Sequence, residues 1–139
     1  MRLTREFLLS LWAGLLVSIG ALVTPTLFAI LANRVVAGGI AAELFRRTTL
    51  VSIAVALLLS LLGRERQRAM SARRLAPLVP AALLALGEFA VKPMLEVARA
   101  ASGPAGRAFI AWHATSAALF ALATLIVLAL LVLELKPRA

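Results

Sequence analysis

Residues 109–133 read FIAWHATSAALFALATLIVLALLVL, a run of 25 residues without Asp, Glu, Lys or Arg. As a helix rising 1.5 Å per residue it would extend about 37 Å, more than the roughly 30 Å hydrocarbon core of a bilayer. No water is available at that depth to satisfy backbone groups, so a single crossing must be helical. Three more apolar stretches lie upstream, at about 7–31, 44–62 and 75–91, each bordered by arginines. Hydrophobic residues make up 63% of the chain and its mean hydropathy is +1.00, against about 45–50% apolar residues in a soluble domain. The expected fold class is all-α: a polytopic four-transmembrane-helix bundle forming a single integral membrane domain over residues 1–139.

The 139 residues contain no cysteine, which excludes disulfides, thiolate metal sites and thiol catalysis. The net charge of +9 does not build a basic face. Its arginines sit at span ends, where they set topology and contact anionic headgroups, so membrane lipids are the expected partner and nucleic acid is not. Met1-Arg2-Leu3-Thr4-Arg5 resembles the basic start of a signal peptide, but the apolar stretch after it exceeds a usual signal core. It is read as an uncleaved first span.

Orientation follows from the basic residues. The N-tail, the second loop and the C-tail share nine (Arg2, Arg5, Arg64, Arg66, Arg68, Arg73, Arg74, Lys136 and Arg138), and the opposite side has six. The positive-inside rule then places both termini in the cytoplasm. Arg64, Arg66, Arg68, Arg73 and Arg74 are the expected lipid headgroup contacts. Trp12 and Trp112 are expected in aromatic belts at opposite faces.

Two small-residue seams stand out. Ser10, Gly14 and Ser18, continued by Ala21, mark span one, and Ser52, Ala56 and Ser60 mark span two. Such spacing lets helix backbones approach closely. Pro25 is expected to kink or fray the end of span one, and Gly38-Gly39 to break the chain before span two. Residues 93–101 suggest a short interfacial helix between spans three and four, stopped by Gly103-Pro104. Pro25-Thr-Leu27 and Pro93-Met-Leu95 both close an odd-numbered span, an echo consistent with a duplicated helical hairpin.

Ionisable groups within reach of the hydrocarbon are few. Glu88, Lys92 and Glu96 follow one another at i, i+4 and i+8 on one helix face, and His113 lies one turn inside span four. Thr24, Pro25, Arg46 and Arg47 come from span ends on the same side, so an outer-leaflet polar cluster of Glu88, Lys92, His113, Ser116 and Arg47 is expected. Buried ionisable groups in lipid are functional candidates because burial is costly. Two readings stay open: a vestibule for an ion, solute or proton, and an interfacial Glu88–Lys92 pair that fixes the depth of the span. On span four, His113, Ser116, Ala117, Phe120 and Thr124 share a face that is either a packing seam or a solute lining, with Leu119, Ile126 and Leu130 turned to lipid. One histidine and two internal methionines (Met70, Met94) do not make a copper site in one chain. His113-x-x-Ser116 lacks a third group to orient the histidine. No metal, cofactor or enzyme activity is expected.

Trp12-Ala-Gly14, Thr24-Pro25-Thr-Leu27-Phe28, Ala37-Gly38-Gly-Ile40-Ala-Ala-Glu-Leu44-Phe45, Phe109 and His113-Ala-Thr-Ser116 resemble a bacterial four-span membrane domain of unknown function. That domain is similar to the eukaryotic transmembrane-protein-two-zero-five-like family and distantly similar to the copper-resistance D membrane proteins. The resemblance implies a four-helix membrane domain, with His113 and Ser116 as its most recognisable polar pair, and it supplies no substrate. Thr24 departs from the small apolar residue often found there. The expected function is a non-catalytic bundle of the bacterial inner membrane that self-associates or supports a membrane-protein partner. The alternative is a small-solute, proton or metal-ion translocator using the outer polar layer.

Overall fold

Helices form along all four apolar stretches, and each extends past at least one end of its stretch. The computed structural model of the chain describes residues 2–62 and 72–136; Arg64, Arg66 and Arg68 lie outside the described residues. Span one comprises α1 (Arg2–Val17), a π-helical turn (Ser18–Val23) and α2 (Thr24–Ile30). Span two is α3 (Arg34–Leu62), preceded by a loop at Asn33. After the short α4 (Ala72–Leu75), span three joins α5 (Leu78–Leu86), a second π turn (Gly87–Val91) and α6 (Lys92–Ser102). Span four is α7 (Arg107–Leu135). All four are long and apolar enough to cross a membrane, and the described residues contain no strand.

Three local expectations are corrected. The chain does not break at Gly38-Gly39, because α3 begins at Arg34 and runs through both glycines. Asn33 Oδ1 accepts hydrogen bonds from the Val35 and Val36 amides at 3.0 and 3.2 Å, satisfying two of the donors a helix start leaves open. Gly38 also lies beneath the Phe28 ring of α2. Cap and packing together outweigh the roughly 1 kcal/mol that an interior glycine costs. The expected interfacial helix over 93–101 is not a separate element either; α6 continues span three without a break and ends at Gly103, whose φ of 72° only glycine adopts readily.

The third correction concerns the prolines. Span one continues to Ile30 past Pro25 because the turn before it widens: the Thr24 amide donates to Ile19 O, five residues back, and Thr24 Oγ1 donates to the same oxygen at 2.8 Å. A proline ring collides with the carbonyl four residues earlier, and a π turn moves that carbonyl aside. The same device precedes Pro93, where the Lys92 amide donates to Gly87 O. The echo between Pro25 and Pro93 therefore has a structural counterpart. Each second helix of the two hairpins, α3 and α7, is 29 residues long.

The helices form a ring in which α1 packs on α3 and α7, and α5 packs on the same two. Leu9, Trp12, Ala13 and Leu16 of α1 meet Ala56 and Leu59 of α3, Ala81 and Leu84 of α5, and Ala123 and Val127 of α7. In lipid, close packing and interhelical hydrogen bonds drive such association. Trp12 is not a belt residue: it is buried, and its Nε1–H donates to Ser52 Oγ at 2.8 Å. Above this core the Phe45 and Phe120 rings meet edge to face at 4.9 Å, and Gly20 leaves the space that the Phe120 edge fills.

Candidate functional site

Two polar layers bracket the apolar core. At the end of the bundle where α7 begins, Lys92 Nζ donates to Glu88 Oε1 at 2.7 Å, with the two side chains 27% and 10% exposed. The spacing of four residues puts them on one face, and the π turn between them does not separate them. Arg46 reaches the same place from α3. Arg46, Glu88, Phe89, Lys92, Pro93 and Glu96 line an open pocket of about 300 Å³.

The other expected members of this layer are placed differently. Arg47 turns away to pair with Glu43 at 2.8 Å, both side chains well exposed, so Arg46 is the arginine that joins Glu88 and Lys92. His113 is exposed and stacks on Phe109, centroids 5.9 Å apart, while the Arg99 guanidinium lies 5.1 Å from the Phe109 centroid. This Arg99–Phe109–His113 column is a second cluster at the same end that spacing alone did not join. Ser116 is half-buried. Thr124 Oγ1 bonds its own helix at Phe120 O. Leu119, Ile126 and Leu130 are half-buried and not turned fully to lipid; the exposed residues of α7 include Leu122, Leu125 and Val132.

At the opposite end lies a group that was not anticipated. Arg5 Nη1 donates to Leu59 O at 2.7 Å, and Arg74 Nε donates to Ser60 O at 3.2 Å. Both oxygens belong to the last turn of α3, where carbonyls lack intrahelical donors and the helix dipole favours cations. Arg5 Nε also lies 3.8 Å from Glu134 Oε2, with the side chains 11% and 6% exposed. One guanidinium thus ties α1 to α3 and α7. Beside it a crevice of about 390 Å³ is lined by Arg5, Leu9, Ala76, Pro77, Leu130, Leu133 and Glu134. Glu134, alone between Leu133 and Leu135, was the available signal, and Arg5 was read only as a topology determinant.

The two small-residue seams have opposite fates. Ser52, Ala56 and Ser60 are buried in the bundle. Ser10, Gly14 and Ala21 are exposed and Ser18 is half-buried. A methyl group built on Gly14 would meet nothing within 4 Å.

Among the described residues no three His, Cys, Asp or Glu side chains group as metal ligands. The family model described as a domain of unknown function, DUF4149, matches residues 7–104. No curated protein and no solved structure matches the chain.

Proposed function

This chain belongs to the DUF4149 family, a domain of unknown function, and we propose that it is a non-catalytic membrane bundle that self-associates through the outward face of α1. The carrying observation is the unused seam. Leu3, Phe7, Ser10, Gly14, Val17 and Ala21 are all exposed and recur at alternating steps of four and three. That is the 3.5-residue repeat of a helix seam that packs on another helix, with small residues where backbones would come closest. The equivalent stripe on α3 is consumed inside the bundle. A second copy of the chain offers the same stripe and makes the contact isologous.

The proposed setting is a bacterial inner membrane with both termini cytoplasmic, supported by the nine-to-six distribution of basic residues. The likeness to the transmembrane-protein-two-zero-five-like and copper-resistance D proteins supports a four-helix membrane domain and no substrate. The outer pocket favours a second reading, a small-solute, proton or metal-ion translocator. The packing of Phe45, Phe120 and the apolar core beneath the pocket supports the first instead.

Oxidative crosslinking of single cysteines in native membranes tests the proposal, since the chain has no cysteine of its own. Gly14→Cys should give a dimer band, and Leu58→Cys, exposed on α3, should not. Gly14→Leu should convert the detergent-solubilised dimer to monomer. Equal crosslinking at both positions, or a monomeric wild type, overturns it.

A further inference from the structure

We infer that the outer pocket is a binding site for a zwitterion carrying a phosphate and a primary ammonium, specifically the headgroup of a phosphatidylethanolamine lipid. The pocket is lined by two cations, Arg46 and Lys92, and two anions, Glu88 and Glu96. The inner pair neutralises itself, with Lys92 Nζ on Glu88 Oε1 at 2.7 Å. Arg47 is bound to Glu43, whose carboxylate also feels the charge of Arg46, and among the described residues neither Arg46 nor Glu96 has an ion pair within 4 Å. With Arg46 and Arg47 against the single carboxylate of Glu43, the α3 wall carries one cation in excess, and the α6 wall offers the Glu96 carboxylate.

A simple ion gains little there, since what it wins from one charge it loses to the other. A ligand bearing both charges in the opposite sense is attracted at each end. Arg46 can take a phosphate through two parallel N–H donors, and Lys92 lines the same pocket. Glu96 can accept from a primary ammonium, which presents N–H donors; a trimethylated ammonium presents none.

Position selects the lipid over a free zwitterion. We place Arg46 and Lys92 at headgroup depth because they stand at the ends of the apolar stretches 44–62 and 75–91. Phe89 is 58% exposed and, with Pro93, gives the pocket an apolar wall that acyl chains can lie against. On that placement the pocket opens to the membrane and its charges sit where a headgroup lies. This inference does not depend on self-association.

Native mass spectrometry of the full chain tests it, using mixed micelles with equimolar phosphatidylethanolamine, phosphatidylglycerol and phosphatidylcholine of identical acyl chains. Phosphatidylethanolamine should be retained about threefold to fivefold over the other two, the range expected for one partly exposed charge contact. Glu96→Gln should lower its retention to that of phosphatidylcholine, and Arg46→Gln should weaken all three phospholipids. Arg34→Gln, outside the pocket, should change nothing. Both pocket side chains are exposed, so neither substitution threatens the fold. Equal retention of the three lipids overturns the inference, as does a preference that survives both substitutions. Displacement by soluble glycerophosphoethanolamine at equal concentration would also overturn the lipid assignment. The same spectra report oligomeric state, so a monomer that retains phosphatidylethanolamine sinks self-association alone.

Discussion

The indole nitrogen of Trp12 donates to the hydroxyl of Ser52 at 2.8 Å, joining α1 to α3 at a point where both side chains are buried. Trp12 pays for its bulk in the core by having a partner for its one polar atom. The same buried cluster holds Ala56 of α3 and Ala123 of α7, small side chains that leave room for a large one.

Ser52→Ala should therefore leave a buried N–H without an acceptor. Interhelical hydrogen bonds in membrane proteins average about 0.6 kcal/mol, and a stranded donor raises the cost to about 1–2 kcal/mol. Trp12→Phe should lose a similar amount, and the double variant should lose less than the sum. Thermal unfolding in detergent measures all three. Strict additivity would show that the bond carries no energy.

Two glycines of α1 and its π turn should respond oppositely to added bulk. A methyl group at Gly20 would come within 2.7 Å of the Phe120 ring, which the Phe45 ring contacts edge to face. Gly20→Ala should destabilise the chain by about 1–3 kcal/mol, the usual range for overpacking, with Phe120→Leu restoring most of it. Gly14→Ala, into open space, should leave monomer stability unchanged or raise it by up to about 1 kcal/mol, the cost of glycine inside a helix. Unfolding curves in which Gly20→Ala matches Gly14→Ala would contradict the packing described.

The ion pairs of Glu134, Glu88 and Glu43 should rank by burial. Removing one partner of a buried pair leaves an uncompensated charge, whereas an exposed pair contributes little. Glu134→Gln, facing an Arg5 side chain that is 11% exposed, should be the most destabilising, by roughly 2 kcal/mol or more. Glu88→Gln should come next, and Glu43→Gln should be nearly silent, since its pair with Arg47 is 73% and 50% exposed. Denaturation of the three variants in one detergent gives the order directly, and a silent Glu134→Gln would be the decisive counter-result.

Water access separates the two outer readings. Single cysteines at Lys92, His113, Phe120 and Thr124 should react with a membrane-impermeant thiol reagent at Lys92 and His113 and stay unlabelled at Phe120 and Thr124. Phe120 sits against Gly20 and Phe45, below the pocket. Labelling that continues to Thr124 would make translocation the better reading.

Parts of the candidate site were legible before any fold. Glu88 and Lys92 lie four residues apart on one helix, so their contact is local and spacing alone places it. Pro25 and Pro93 advertised matching disturbances, although their resolution as π turns depends on where the displaced carbonyls find donors. The Arg5 tie was hidden because its partners, Leu59 O and Glu134, lie 54 and 129 residues away in the chain. Choosing Arg46 over Arg47 was hidden for a different reason: adjacent residues on a helix point about 100° apart, and only packing on α5 and the π turn after it decides which of them faces the pocket.

The amino-acid sequence by itself determined that this protein crosses a membrane four times as helices, because lipid offers unsatisfied backbone groups no partner and the apolar runs match the bilayer. It also determined, through its absent cysteines, a set of excluded chemistries. The tertiary structure alone decided which face of each helix is inside. A helix in water must turn its polar side outward, so its core face can be read from periodicity; in lipid both faces are apolar and that signal vanishes. Of two equally small seams, only packing could bury Ser52 and Ala56 and leave Gly14 on the outside.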